Sequence, residues 1–360
     1  MEANSVARWT TYDDYIDVFE IPLVNLIKRV SPSMWDYMDR GYAASKEDRN
    51  GPLFADELAW LWNDLGLALY AQGAMIDAHA VWEVSYEIDR VTDSYEEGGQ
   101  YLVQSRLDMA AAFLEMGRLE MAGEYLADTE ESNKSFGDDE YAGRITGYKA
   151  LLTHMRGNTD EADRLYKHAE EQLRHIGRNL RGRSIFARHH ANLKMTINDL
   201  DEAERLNGMS EAFAYEGRHS DLLTYTRLTK GHIHRLRKQF RPAKLEYDAA
   251  LLDARRVGIR RLEADLLCEL GRLALGVGDW ETARQRAVAS LMIANELSLG
   301  LRRSSGLVVL GKAMIQARAP KLGAAYLRHA YTLAKKQGYL LRAHEAEEKL
   351  RELGEPLPEI

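Results

Sequence analysis

Apolar and polar positions alternate with helical spacing along most of the chain, and the pattern is cut at regular intervals. Segment 265–277 places Leu266, Leu267, Leu270 and Leu273 on one side of a helix. Gly278-Asp279 breaks it, and Trp280 to Leu297 predicts a second helix ending near Gly300. The same helix–turn–helix reading repeats along the chain. Small residues recur at Ala78, Ala122, Ala162, Ala203, Ala243, Ala283 and Gly323, at steps of 44, 40, 41, 40, 40 and 40 residues. Twelve residues before each stand Gly66, Ala110, Ala150, Ala191, Gly231, Gly271 and Gly311. Seven residues after each stand Ser85, Thr129, Ala169, Ser210, Ala250, Ser290 and Ala330. A fourth column, Ala68, Ala112, Leu152, Leu193, Ile233, Leu273 and Ala313, is apolar throughout. Small residues in register let two helices approach closely while larger apolar ones fill the gaps. Self-similarity at this period predicts an all-α solenoid, which favours an extended binding scaffold over a one-pocket enzyme.

The punctuation fits that reading. Gly73, Gly117 and Gly157 fall at the turn inside a repeat, and Asn198 replaces Gly in the fourth repeat. Lys238 and Arg318 hold this place in repeats five and seven, where the turn is less well specified. Gly177, Gly217, Gly258 and Gly338 are expected at helix exits, where a left-handed residue ends a helix with little strain. The four extra residues between the first two repeats are expected as a longer loop in DSYEEGGQ, 93–100. Residues 9–50 lack the columns but carry Trp9, Tyr12, Tyr15, Phe19, Trp35, Tyr37 and Tyr42. They read as two capping helices split near Ser31-Pro32, followed by a loop at 45–52. The expected organisation is therefore caps over 1–54, seven repeats over 55–338, and a final helix near 339–353 within a C-terminal cap and tail, 339–360.

Composition changes the picture little until charge is mapped along the chain. The 360 residues are 45% hydrophobic and 29% charged, with seven prolines and one cysteine, Cys268. A single cysteine suits a reducing compartment. No apolar run reaches the roughly 18–20 residues needed to span a bilayer, and the N-terminus lacks a signal-peptide apolar core. A cytosolic protein with no membrane partner is expected. The net charge of −8 is uneven: residues 1–140 hold 10 Lys+Arg against 29 Asp+Glu, and residues 141–360 hold 38 against 27. Opposed ends suit two different partners or head-to-tail contact in a homo-oligomer, the bland alternative being that each end is simply solvated.

Taken as a set, the columns resemble the tetratricopeptide repeat. Repeat one carries Trp62, Leu65, Gly66, Leu69, Gly73, Ala78, Trp82 and Ser85; repeat six carries Leu267, Leu270, Gly271, Gly278, Ala283 and Ser290. Repeat seven carries Leu310, Gly311, Met314, Gly323, Leu327 and Ala330. The step of about 40 residues and the missing closing proline resemble the long-repeat varieties of kinesin light chains, maltose-regulator activators and bacterial peptide-pheromone receptors. Repeats three to five depart from the pattern, with Lys149, His190 and Lys230 in place of a leucine and Thr153, Lys194 and His234 in place of a tyrosine. The resemblance implies a right-handed superhelix whose first helices line an inner surface that binds peptides or protein segments.

On those first helices the positions spaced i, i+4, i+7 share one face. In repeats one and two that face is mostly apolar, with Asn63, Leu67, Tyr70, Leu107, Ala111 and Leu114. In repeats four to seven it offers Arg188, Asn192, His232, Arg235, Arg272 and Lys312, joined by Arg144 from repeat three. A cationic stripe on a concave surface would attract a carboxylate, a phosphate or an acidic peptide. Asp265 and Glu269 interrupt it where basic residues would be expected. The basic segments RHH (188–190) and HIHRLRK (232–238) and the Arg pairs at 255–256, 260–261 and 302–303 raise nucleic acid as a partner, yet no helix-turn-helix, zinc or sheet-based RNA motif accompanies them. The histidines lack metal-ligand spacing, and His344-Glu345 does not complete an HExxH motif. No P-loop, nucleophile elbow or dinucleotide fingerprint is present, so neither a cofactor nor catalysis is expected. The expected function is a non-catalytic scaffold or adaptor that binds a protein or peptide, as the sensor part of a signalling or regulatory system. The alternatives are a ligand-gated regulator that takes an acidic peptide or small anion, and an RNA-binding helical-repeat protein.

Overall fold

The computed structural model describes residues 62–67, 69–70, 73–91, 99–176 and 179–359. The expected N-terminal caps, the loop at 45–52 and Gly177 lie outside the described residues. Residues 62–67 are helical and precede α1, Met75–Val91. The chain continues through α2, Gly99–Met116; α3, Leu119–Phe136; α4, Asp139–Met155; α5, Thr159–Ile176; α6, Leu180–Thr196; and α7, Leu200–Glu216. It then runs through α8, Ser220–Leu236; α9, Phe240–Val257; α10, Arg260–Gly276; α11, Trp280–Glu296; α12, Gly300–Gln316; α13, Pro320–Lys336; and α14, Leu340–Glu352. Among the described residues there is no strand. Two of the residues expected in the long loop, Gly99 and Gln100, instead open α2.

The chain forms two compact units, Met1–Ala112 and Phe113–Ile360. In the N-terminal unit Trp82 is fully buried, and its indole Nε1 donates to the Asn63 carbonyl at 3.0 Å. The ring fills the space left by Gly66, where a Cβ would overlap the indole. Ser85 and Ser105 share a hydrogen bond of 3.1 Å. Asp64 is buried beside Asp108, and burial together with that second carboxylate pushes its pKa up to about 8.

In the C-terminal unit helices pair as α4/α5, α6/α7, α8/α9, α10/α11 and α12/α13, with α14 packed on α13. The first helix of each pair also touches the first helix of the next, up to α14, so these helices line one continuous face. The small-residue columns are the seams. Ala122, Ala162, Ala203, Ala243 and Ala283 are fully buried, as are Ala150 and Ala191. At Gly311 a Cβ would lie 2.8 Å from Leu327 and 3.0 Å from the Gly323 carbonyl, so two backbones cross in direct contact. In the third column, Ser210 Oγ donates to the Ser184 carbonyl at 2.7 Å and Ser290 Oγ to the Ala264 carbonyl at 2.7 Å. A hydroxyl buried there needs such an acceptor.

Turns keep the register even where residue type does not announce it. Gly73, Gly117, Gly157 and Gly278 have φ of 87°, 76°, 84° and 80°, and Asn198, Lys238 and Arg318 have 61°, 60° and 60°. Each lets the next amide reach back to end the helix, as Gln239 N does to the His234 carbonyl (2.8 Å) and Ala319 N to the Met314 carbonyl (2.9 Å). At the exits of the second helices, Gly258 and Gly338 are left-handed as expected, but two positions differ. Gly217 has φ −76°, and the left-handed residue is Arg218 at 56°. Ser298, at 55°, ends α11, while Gly300 is the first residue of α12. Gly300 is required there for another reason: a side chain would collide with the Met116 carbonyl and with Gln337.

The irregular repeats three to five hold the same packing by a polar route. Lys149 pairs with Glu130 at 2.6 Å, and Lys230 with Glu246 at 2.9 Å. His190 and Lys194 both meet Asp163, at 2.7 and 2.5 Å. Asp163 also takes Lys167 at 2.7 Å, so one carboxylate anchors three basic groups.

Candidate inner-face site

The first helices of the C-terminal unit bring most of the expected stripe together, but as part of an ion-pair network. Two carboxylate pairs organise it. Glu115, at the end of α2, binds Arg302 of α12 and lies 3.8 Å from Arg261 of α10. Arg302 also donates to Asp265 at 2.8 Å. Arg261 Nε donates to the Tyr225 hydroxyl at 2.8 Å, and the Arg188 guanidinium stacks 4.9 Å from the centre of that same ring. The second cluster lies further along the face. Glu269 contacts Arg235 at 3.2 Å, Arg272 at 3.1 Å and His232 at 3.6 Å. Glu345 of α14 receives Arg272 at 2.5 Å, Lys312 at 2.8 Å, and Arg342 of its own helix.

The stripe is thus not the free cationic surface that the sequence suggested. Asp265 and Glu269, which interrupted the sequence pattern, are the counter-charges that let the guanidinium groups crowd together. Arg272 and Arg302 keep only 12% and 11% of their side-chain surface, too little to be solvated without partners. Burial raises the pKa of Glu115, but Arg302 and Arg261 outweigh it and bring the carboxyl down to about 2. Glu269 is likewise brought to about 2 against burial by His232, Arg235 and Arg272. Burial lowers His232 to about 4, so its ring is neutral at pH 7.

Even so, the network is not balanced. Among the described residues Arg188, Arg235, Arg272, Arg302, Lys312 and Arg342 face Glu115, Asp265, Glu269 and Glu345, so cations outnumber carboxylates there. The Nε atoms of Arg188, Arg302 and Arg342 are buried and donate to no acceptor among the described residues, whereas those of Arg235 and Arg272 face Glu269 at 3.2 and 3.1 Å. The Asn192 Oδ1, one helical turn from Arg188, is buried and accepts from no donor among the described residues. Arg144 of α4 stacks on Tyr141 of its own helix, 5.3 Å from the ring centre.

Arg261, Arg302, Arg342, Glu115 and Glu345 were not singled out from the sequence. Arg261 and Arg302 belong to Arg pairs that raised nucleic acid as a partner, and Glu345 was noticed only as part of an incomplete metal motif. Cys268 is buried and its thiol is pushed up to about 11 by burial, which leaves it unreactive at neutral pH. Among the described residues no cluster of His, Cys, Asp and Glu could hold a metal ion, and no helix is long and apolar enough to cross a membrane.

No family model and no curated protein matches this chain. Solved structures do. NprR in complex with its cognate peptide NprX is similar over 82% of this chain and 84% of its own, with a TM-score of 0.60 and 12% identity. A Rap protein complexed with Competence and Sporulation Factor is similar over 95% and 98%, with a TM-score of 0.56 and 11% identity. A signal transduction ATPase with a tetratricopeptide repeat sensor from Pyrococcus horikoshii is similar over 80% of this chain, with a TM-score of 0.45 and 15% identity; this chain spans 46% of that protein's length. The chain has the fold of tetratricopeptide-repeat proteins, an all-α solenoid of helical repeats.

Proposed function

We propose that the chain is a non-catalytic, peptide-binding regulator or adaptor that takes its ligand on the inner face of the C-terminal unit. The observation that carries this reading is a set of buried groups of both kinds on one face that have no partner among the described residues: the Nε–H donors of Arg188, Arg302 and Arg342 and the Asn192 acceptor. A peptide offers both complements, carboxylates and carbonyls for the arginines and an amide N–H for Asn192. A cation excess gives the preference for an acidic segment. The fold neighbours NprR and Rap, each solved with a peptide or signalling factor, support the same reading. A cytosolic setting suits the single reduced thiol. An RNA-binding role has less support, since the arginines of 260–261 and Arg302 are engaged in ion pairs.

The test leaves the ion pairs intact. The double variant Arg188→Ala, Asn192→Ala should fold with an unchanged helical spectrum and lose the peptide or protein captured by the wild-type chain from host lysate. Equal capture by a folded double variant would refute the inner-face reading.

A further inference from the structure

We propose that Glu345 is a built-in occupant of an anion site on the inner face, and that an acidic ligand binds there by taking its place. The idea rests on the peptide-binding reading above and adds a competitor within the chain. Three basic groups from three helices converge on this one carboxylate: Arg272 of α10, Lys312 of α12 and Arg342 of α14. Arg272 addresses it in the two-pronged way that guanidinium groups use for carboxylates, with Nη1 at 2.5 Å from Oε1 and Nη2 at 3.3 Å from Oε2. The contact spans two repeats, from α14 past α12 to α10, so α14 reaches over the end of the inner face to fill the site.

Charge sets the ligand class. Among the described residues Arg235, Arg272, Lys312 and Arg342 form their ion pairs here with Glu269 and Glu345. One carboxylate supplied by α14 leaves two positive charges unmatched. A segment with two or more adjacent acidic side chains would replace Glu345 and neutralise the remainder, which a single internal carboxylate cannot do. The buried Nε donor of Arg342, with no acceptor among the described residues, adds hydrogen-bonding capacity at the same place. Because Arg342 and Glu345 share α14, displacement of Glu345 also loosens the hold of α14 on α10 and α12. Ligand occupancy is thereby coupled to the C-terminal helix.

The probe is a fluorescein-labelled hexaglutamate peptide, with hexaglutamine as its uncharged counterpart, read by fluorescence anisotropy at fixed ionic strength. Wild type should bind hexaglutamate and not hexaglutamine. Glu345→Gln should bind it at least tenfold more tightly. Glu348→Gln adds the same charge to the exposed side of α14 and should leave affinity unchanged. Equal or weaker binding by Glu345→Gln, an equal gain from Glu348→Gln, or no binding of hexaglutamate by either wild type or Glu345→Gln would overturn the proposal. Should Glu345→Gln fail to fold, wild type decides alone: hexaglutamate should speed amide hydrogen exchange across 340–352, and unchanged protection in the bound state would overturn it. If the Arg188→Ala, Asn192→Ala variant loses the native partner while Glu345→Gln shows no gain, the peptide-binding reading stands and the exchange falls.

Discussion

At the scale of single residues, the fold depends on backbone conformations that the amino acid does not always favour. Lys238 and Arg318 occupy left-handed turn positions that elsewhere belong to Gly or Asn. A side chain costs about 1 kcal/mol there relative to glycine. Lys238→Gly and Arg318→Gly should therefore each raise unfolding free energy by about 1 kcal/mol, measured by urea titration; a loss at both would mean their side chains matter more than their backbones. Asp64 makes a different case. Its carboxyl is protonated in the folded N-terminal unit up to about pH 8 but ionised in the unfolded chain above its ordinary value of 3.8. Between these values the unfolded state binds fewer protons, so stability falls as pH rises. Asp64→Asn removes that dependence, and its stabilising effect should grow from pH 5 to pH 8 in thermal melts. A gain independent of pH would refute the raised pKa of Asp64. Turn glycines were legible from residue type alone at Gly73, Gly117, Gly157, Gly258 and Gly338, but not at Gly217. Arg218 and Ser298 were not, because position in the repeat rather than side-chain chemistry imposes φ > 0 there.

At the scale of helices, the pairing within each repeat was legible because a seam of small residues is local and recurs. Gly311 and Gly323 show how tight the seam is, each lying where a Cβ would press on the other's carbonyl. Gly311→Val cannot be relieved by rotating a neighbour, since part of what it meets is backbone. It should cost about 1–3 kcal/mol of overpacking, whereas the same change at exposed Gly208, which faces open space, should be neutral or gain a few tenths of a kcal/mol, since Val is a better helix former than Gly. Comparable losses at both sites would argue against the close approach. The candidate site was legible only in part, for a matching reason. Reading down columns one repeat at a time finds Arg188, Arg235, Arg272, Lys312 and the nearby Glu269 but not the distant partners, since Arg272 reaches 73 residues to Glu345 and Arg302 reaches 187 to Glu115. Lys149, Lys230 and His190 looked like breaks in the pattern for the opposite reason: their carboxylate partners Glu130, Glu246 and Asp163 sit on the neighbouring second helix, where an apolar contact was expected.

At the scale of the whole C-terminal unit, the chain returns on itself. The end of α2 meets the start of α12 through Gly300 and through the Glu115–Arg302 pair, and Gly117 lies against Gln337. Glu115 therefore joins the first and last repeats of this unit, and its ionisation should report on that closure. Its folded pKa of about 2 lies below the ordinary value of 4.5. A carboxylate with a depressed pKa contributes stability that is complete above the ordinary value and is lost as pH falls toward the folded one. The shift corresponds to about 3 kcal/mol, the same order as the cost of breaking a buried pair. Glu115→Gln should thus lower the unfolding free energy by about 3 kcal/mol at pH 7, and the difference from wild type should shrink to near zero by pH 2, where the native carboxyl is itself being neutralised. His154 and His232, both lowered by burial to about 4, add a second loss common to both proteins as pH falls from 6.5 toward 4. Wild type and variant should consequently run parallel over that upper range and converge only below about pH 4.5. Convergence already between pH 6.5 and 4.5 would place the closing charge elsewhere. A constant difference down to pH 2 would mean that Glu115 matters for its packing and not for the charge that ties the two ends together.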